Sequence, residues 1–248
     1  KRKFKDLKEN AENAILELTK VQEVIGASCS LPEAVDALQS CKKIWRPLLE
    51  AIGSKNAKLT QIALGSLQKL MSHGAVARHE VSGLMAAVAE VSEFGDEVVQ
   101  LKMLQTILTT LTSPHFFMEE ELVASLLRVC FLLHRNRSPM IHHTADATIR
   151  QVVDLLFDRL SKNHDGSELL SPGDESSSTT PVPTPDSSSA SSSNASVEDL
   201  NRRLSTRVAF RLFMDLLVLL DGKNGDWLNL RAGMLDPQFG VELLECIL

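Results

Sequence analysis

The chain has 248 residues, 44% of them hydrophobic, with 26 Lys and Arg against 32 Asp and Glu and a formal net charge of -6. That apolar content suffices for a sizeable core, in one large domain or two smaller ones. The acidic balance argues against sequence-independent nucleic-acid binding, which needs clustered Lys and Arg to displace phosphate counterions. Aromatics are 4% with no Tyr, so aliphatic side chains carry the packing.

Apolar residues recur at helical spacing almost throughout, and no alternating strand pattern interrupts them. A first helix is predicted over residues 4–25, with Leu7, Ala11, Ala14, Leu18, Val21 and Ile25 on one stripe. Its basic start, Lys1, Arg2, Lys3, Lys5 and Lys8, reads as a solvated helix end. Ser30 and Glu33 form a capping box for a second helix that runs to residue 52, bent at Pro47 and stopped by Gly53. The third, over 56–73, sets Leu59, Ile62, Ala63, Leu67, Leu70 and Met71 on one face, with Gly74 as C-cap.

A fourth helix follows over 78–92. The fifth, over 96–111, is apolar nearly all round and therefore central. A sixth covers 119–134, its start marked by Glu119, Glu120 and Glu121, which the helix dipole favours there. A seventh covers 142–161. Helix pairs thus recur every 40–45 residues or so, the period of armadillo and HEAT arrays, in which each pair buries its face on the next. The expected fold is all-α, an armadillo/HEAT-like right-handed stack of antiparallel helix pairs.

From 162 to 195 Ser, Thr, Pro, Asp and Gly take over, which predicts a disordered linker. It carries three proline-directed phosphorylation candidates, Ser171-Pro172, Thr180-Pro181 and Thr184-Pro185. Helical order resumes over 196–248: Ser196, with Asp199, caps a helix to residue 220, and residues 221–226 form a turn. Trp227 begins a short helix or apolar plug, and Asp236-Pro237 opens a last helix. The missing initiator Met and the helical pattern still running at Leu248 imply a piece of a longer chain.

No constellation for chemistry emerges. The four cysteines lack paired spacing; Cys130 and Cys246 sit in apolar helical runs and read as small buried hydrophobes, so a disulfide framework is not expected. His142 and Asp146 stand four apart, but nothing identifies a third metal ligand, and no metal is expected. The turn at Gly222 and Gly225 lacks the Lys-Ser/Thr ending of a phosphate loop, and neither a nucleophile elbow nor a zinc-protease helix occurs. No catalytic residue and no cofactor are assigned. No apolar run reaches the length of a membrane span. A groove-type peptide adaptor is disfavoured, because Trp45 and Trp227 lie too far apart to form a ladder.

Several stretches resemble one family. Residues 65–74 (GSLQKLMSHG) look like the DCB region (dimerisation and cyclophilin binding) of the large Golgi exchange factors for Arf GTPases. Residues 104–112 look like a following helix, and 144–153 (TADATIRQVV) with 157–160 (FDRL) like its A-T-x-R-Q element. Residues 210–216 and 239–245 resemble the start of the HUS region, which precedes the exchange domain in those proteins. The wording around Met71 and Arg150 is most similar to the branch that keeps both regions but lacks the catalytic domain.

The resemblance implies a DCB-like domain over 1–161, the linker, and a HUS-like start over 196–248. It implies a non-enzymatic scaffold or regulatory module in vesicle trafficking, peripheral to the cytosolic face of the trans-Golgi network and endosomes. Self-association, Arf or Arf-like small GTPases and a scaffold partner of the Dopey type are the partners it implies. The alternative is the autoregulatory region of an Arf exchange factor with its catalytic domain downstream. Lys69, off the apolar stripe of the third helix, is the leading partner-binding candidate, with Gln68 and His73 as neighbours. Arg150 and Gln151 are expected to serve structure, bonding neighbouring helices.

Overall fold

Polar side chains start three of the helices. Asn56 Oδ1 accepts from the Leu59 N–H at 3.2 Å, Asp96 Oδ1 from Val99 at 2.9 Å and Asp236 Oδ1 from Phe239 at 3.1 Å. Each satisfies a donor that the helix cannot, worth about 1 kcal/mol. The computed structural model describes residues 4–26, 30–93, 95–116, 119–165 and 192–247. Among these residues there are ten α-helices and no β-strand. In chain order they are α1 (Lys5–Ile25), α2 (Leu31–Gln39), α3 (Trp45–Ile52), α4 (Ala57–Ser72), α5 (Arg78–Glu90), α6 (Glu97–Thr112), α7 (Glu120–His134), α8 (Pro139–Asp165), α9 (Ser192–Leu220) and α10 (Pro237–Ile247).

The helices form two rows. One runs α4, α6, α8, with α10 beyond; the other runs α3, α5, α7, α9. The two rows join through α3–α4, α7–α8, α8–α9 and α9–α10. Within the first row the helices are parallel: Gln68 on α4 donates to Thr109 on α6 at 3.2 Å, and Ser113, just past α6, donates to the Met71 carbonyl at 3.3 Å. Likewise Ser138, at the start of α8, donates to Glu97 at the start of α6, at 2.6 Å. The first residues of α4, α6 and α8 are 57, 97 and 139, so the period read from the sequence is the period of the stack.

Helix α6 is the central member. Val99, Met103, Leu104 and Ile107 are wholly buried, and so are Thr106 and Thr110, whose hydroxyls bond back to the carbonyls of Lys102 and Thr106 at 2.8 and 2.9 Å. Those bonds let two polar residues enter the core without an unsatisfied group. Cys130 is buried as expected, and burial pushes its thiol up to about 12, which leaves it inert. Glu33 accepts from both the N–H and the hydroxyl of Ser30 at 2.9 Å, the expected capping box.

Several expectations need correction. No single helix bends at Pro47. α2 ends at Gln39, a 3-10 turn covers Lys42–Ile44, and α3 starts afresh at Trp45. Pro47 therefore lies in a first turn, where its missing N–H costs nothing. Ile62 is not on the buried face of α4 but 68% exposed; Thr60 and Leu64 take the inward positions. Cys246 is exposed, because the packed stripe of α10 passes through Leu243 and Ile247 and leaves it to one side. The helix before the turn begins at Ser192, so Ser196 is inside it rather than its cap. Residues 227–235 form no helix; a lone antiparallel bridge joins Gly225 and Leu230, and Leu228 and Leu230 plug the core. Most of the proposed linker, residues 166–191, with the three Ser/Thr-Pro sites, lies outside the described residues, while α8 and α9 extend into its two ends.

Candidate partner-binding surface

Helix α4 is held at both ends and on one side, which leaves one side to solvent. Its C-terminus closes in a Schellman motif: the Ala75 N–H bonds to the Leu70 carbonyl at 2.9 Å and Gly74 to Met71 at 3.1 Å, with Gly74 at φ +65°. Ala63, Leu64, Leu67 and Met71 pack inward. Lys58, Ile62, Lys69 and His73 are exposed, and their spacings of four, seven and four residues put them on one stripe.

The three candidates separate. Lys69 and His73 share the exposed stripe, and Lys69 forms no ion pair among the described residues. Gln68 turns toward α6, half-buried, and its amide is engaged by Thr109. Sequence reading missed Ile62 as part of this face, although it stands two turns from Lys69. The stripe thus joins one aliphatic patch to cations, which suits a surface carrying both an apolar and an acidic feature.

A second cluster joins α7 and α8 to α10. Arg150 on α8 bonds to Asp146 at 2.6 Å and to Glu242 on α10 at 2.5 Å, with its guanidinium 5.1 Å above the Phe239 ring. His134 is buried, stacked on Phe239 at 4.1 Å between centroids and on His142 at 4.4 Å. Burial first, and then the neighbouring His142, lowers the His134 pKa. A cleft of about 680 Å³ opens beside these rings. The bonds of Arg150 bear out its structural reading, whereas Gln151 is exposed and bonds to no neighbouring helix among the described residues. Among the described residues no three His, Cys, Asp or Glu side chains converge as a metal site would need, and none of the helices is long and apolar enough to cross a membrane.

A family described as Mon2/Sec7/BIG1-like, dimerisation and cyclophilin-binding domain (DCB) matches residues 1–164. The chain belongs to this family. The DCB match spans α1 to the last turn of α8, and the family is described by what it binds, so the chain is a non-catalytic region. Over its whole length it is 31% identical to a protein MON2 homolog of Xenopus laevis and 28% identical to one of Homo sapiens, covering 13% of each. Half of it is 25% identical to 8% of brefeldin A-inhibited guanine nucleotide-exchange protein 2 of Arabidopsis thaliana. The chain therefore spans about an eighth of the length of the MON2 relatives. No solved structure matches.

Proposed function

We propose that this DCB chain is part of a scaffold in Golgi and endosome vesicle trafficking, peripheral to the cytosolic membrane face, which self-associates and binds small GTPases of the Arf-like class. Its similarity to the MON2 homologs along its full length supports the scaffold reading. The observation that carries the docking site is the stripe of Ile62, Lys69 and His73, open to solvent on a helix fixed at both ends. In this reading the stripe contacts an acidic or switch surface of the GTPase. A scaffold partner of the Dopey type belongs to the same reading.

The test is binding of the chain to purified Arf and Arf-like GTPases loaded with GTP or GDP, with Lys69→Glu as the variant. GTP-selective binding that falls at least tenfold in Lys69→Glu is expected, and undiminished binding by the folded variant removes the α4 site. The match to the Arabidopsis exchange protein favours a second reading, the autoregulatory region of an Arf exchange factor. A catalytic exchange domain in the full-length sequence would decide for it.

A further inference from the structure

Helix α1 lies at one end of the described stack, and only one of its sides packs on the other described helices. Ala14 is its one buried residue among those described; Leu7 packs on the core, Asn10 donates to Glu50 at 2.6 Å, and Glu17 pairs with Lys43 at 3.0 Å. The opposite side carries Lys5, Lys8, Glu9, Glu12, Ile15, Leu16, Thr19 and Glu23, all exposed, on one face at 3.6 residues per turn. Ile15 is 61% and Leu16 59% exposed, a large apolar pair at the middle of that face. Lys8 pairs with Glu12 at 3.4 Å, in a bond too exposed to stabilise much.

Along this face Lys5 and Lys8 come first, Glu9 and Glu12 next, then the apolar pair, and Glu23 last. Lys8 and Glu23 stand equally far from the centre of the apolar pair, so a second copy turned end for end brings them together, whereas a parallel copy sets Lys on Lys and Glu on Glu. Centred between Ile15 and Leu16, the antiparallel arrangement sets each Ile15 on the other copy's Leu16. It also sets Lys8 beside Glu23, Glu9 beside Gln22 and Glu12 beside Thr19, and no like charges oppose. A two-fold interface requires that kind of self-complementary patch.

We propose that α1 is the self-association surface of this chain, packing antiparallel on α1 of a second copy, with Ile15 and Leu16 at its centre and two Lys8–Glu23 pairs at its flanks. The inference rests on the self-association proposed above and names the face that performs it. The charge pairs set the register, and added salt weakens them.

The test is the mass in solution of the whole 248-residue chain, by light scattering over a concentration series, with helicity checked by circular dichroism. The expected result is a dimer that becomes monomeric in the Ile15→Glu/Leu16→Glu variant. Lys8→Glu and Glu23→Lys should each weaken it roughly tenfold, and Lys8→Glu/Glu23→Lys should restore it. All four positions are exposed, so the variants keep the fold. A dimer untouched by Ile15→Glu/Leu16→Glu overturns the α1 face and leaves self-association standing. A chain monomeric at its highest soluble concentration overturns both. Loss of the dimer in Ile15→Glu/Leu16→Glu without rescue by the charge swap overturns the antiparallel register.

Discussion

Arg150 and Glu242 lie 92 residues apart in sequence and share a direct ion pair, with Phe239 beneath the same guanidinium. The pair fastens α10 to α8. Its hydrogen bond to Arg150, followed by that to Gln238, holds the Glu242 carboxyl below the usual glutamate range.

Replacing Arg150 by Ala should therefore loosen α10 before anything else. Hydrogen exchange of the amides of residues 239–244 is expected to speed by roughly tenfold, while α4 and α6 stay protected. Unchanged exchange would mean that apolar contacts alone hold α10. Because the folded-state pKa of Glu242 is depressed, its contribution is present above the unfolded value, about 4.3, and is lost as pH falls below it.

His134 predicts a pH response in a milder range. Burial lowers its pKa, so between the folded value and about 6.5 the unfolded chain binds the proton and the folded chain does not. Stability is then full above that window and declines as pH falls through it. Urea midpoints at pH 7.5 and 5.5 should differ, and His134→Phe, which keeps a ring on Phe239, should shrink the difference. An equal difference in the variant would assign it elsewhere.

Gly74 should not tolerate Ala. Its φ of +65° disfavours any side chain, and a Cβ there would lie 2.6 Å from His115 Cγ. A loss of about 1–2 kcal/mol is expected from the backbone strain alone, with more from the ring. Thermal or urea unfolding of Gly74→Ala and of Gly74→Ala/His115→Ala separates the two, since the second change relieves only the contact.

Asp215 pins the segment after α9. Its buried carboxylate accepts from the Leu228 N–H at 2.7 Å and from Trp227 at 3.3 Å. Asp215→Ala leaves both donors without it and should cost about 1–3 kcal/mol, measured by urea unfolding, with Trp227 fluorescence shifting as its surroundings open. An unchanged midpoint would mean that other acceptors take over.

The rows of the fold were legible because period and caps agree: Asn56, Asp96 and Asp236 begin helices where the apolar stripes begin. The failures share a cause. Ile62 and Cys246 lie on apolar runs, and a run shows which residues are able to face inward without showing which neighbour reaches them. Pro47 fits a kink and a first turn equally, and only the break at Ser40 and Cys41 decides between them. For the candidate surface, Lys69 was legible as a charge off the stripe. That Gln68 is engaged by Thr109, and that Arg150 clasps Glu242, are pairings between distant segments which no local pattern encodes.

Helix α8 is covered on several sides, by α6 and α7 from the earlier part of the chain and by α9 and α10 from the later part. The matched family region stops at residue 164, in the last turn of that helix. A protein trimmed to that limit would lose Val208, Leu212, Leu216 and Phe239 as cover and present raw apolar flank to water. Such a truncation should behave as a sticky, aggregation-prone product, and any oligomer it formed would report its cut edge rather than its biology.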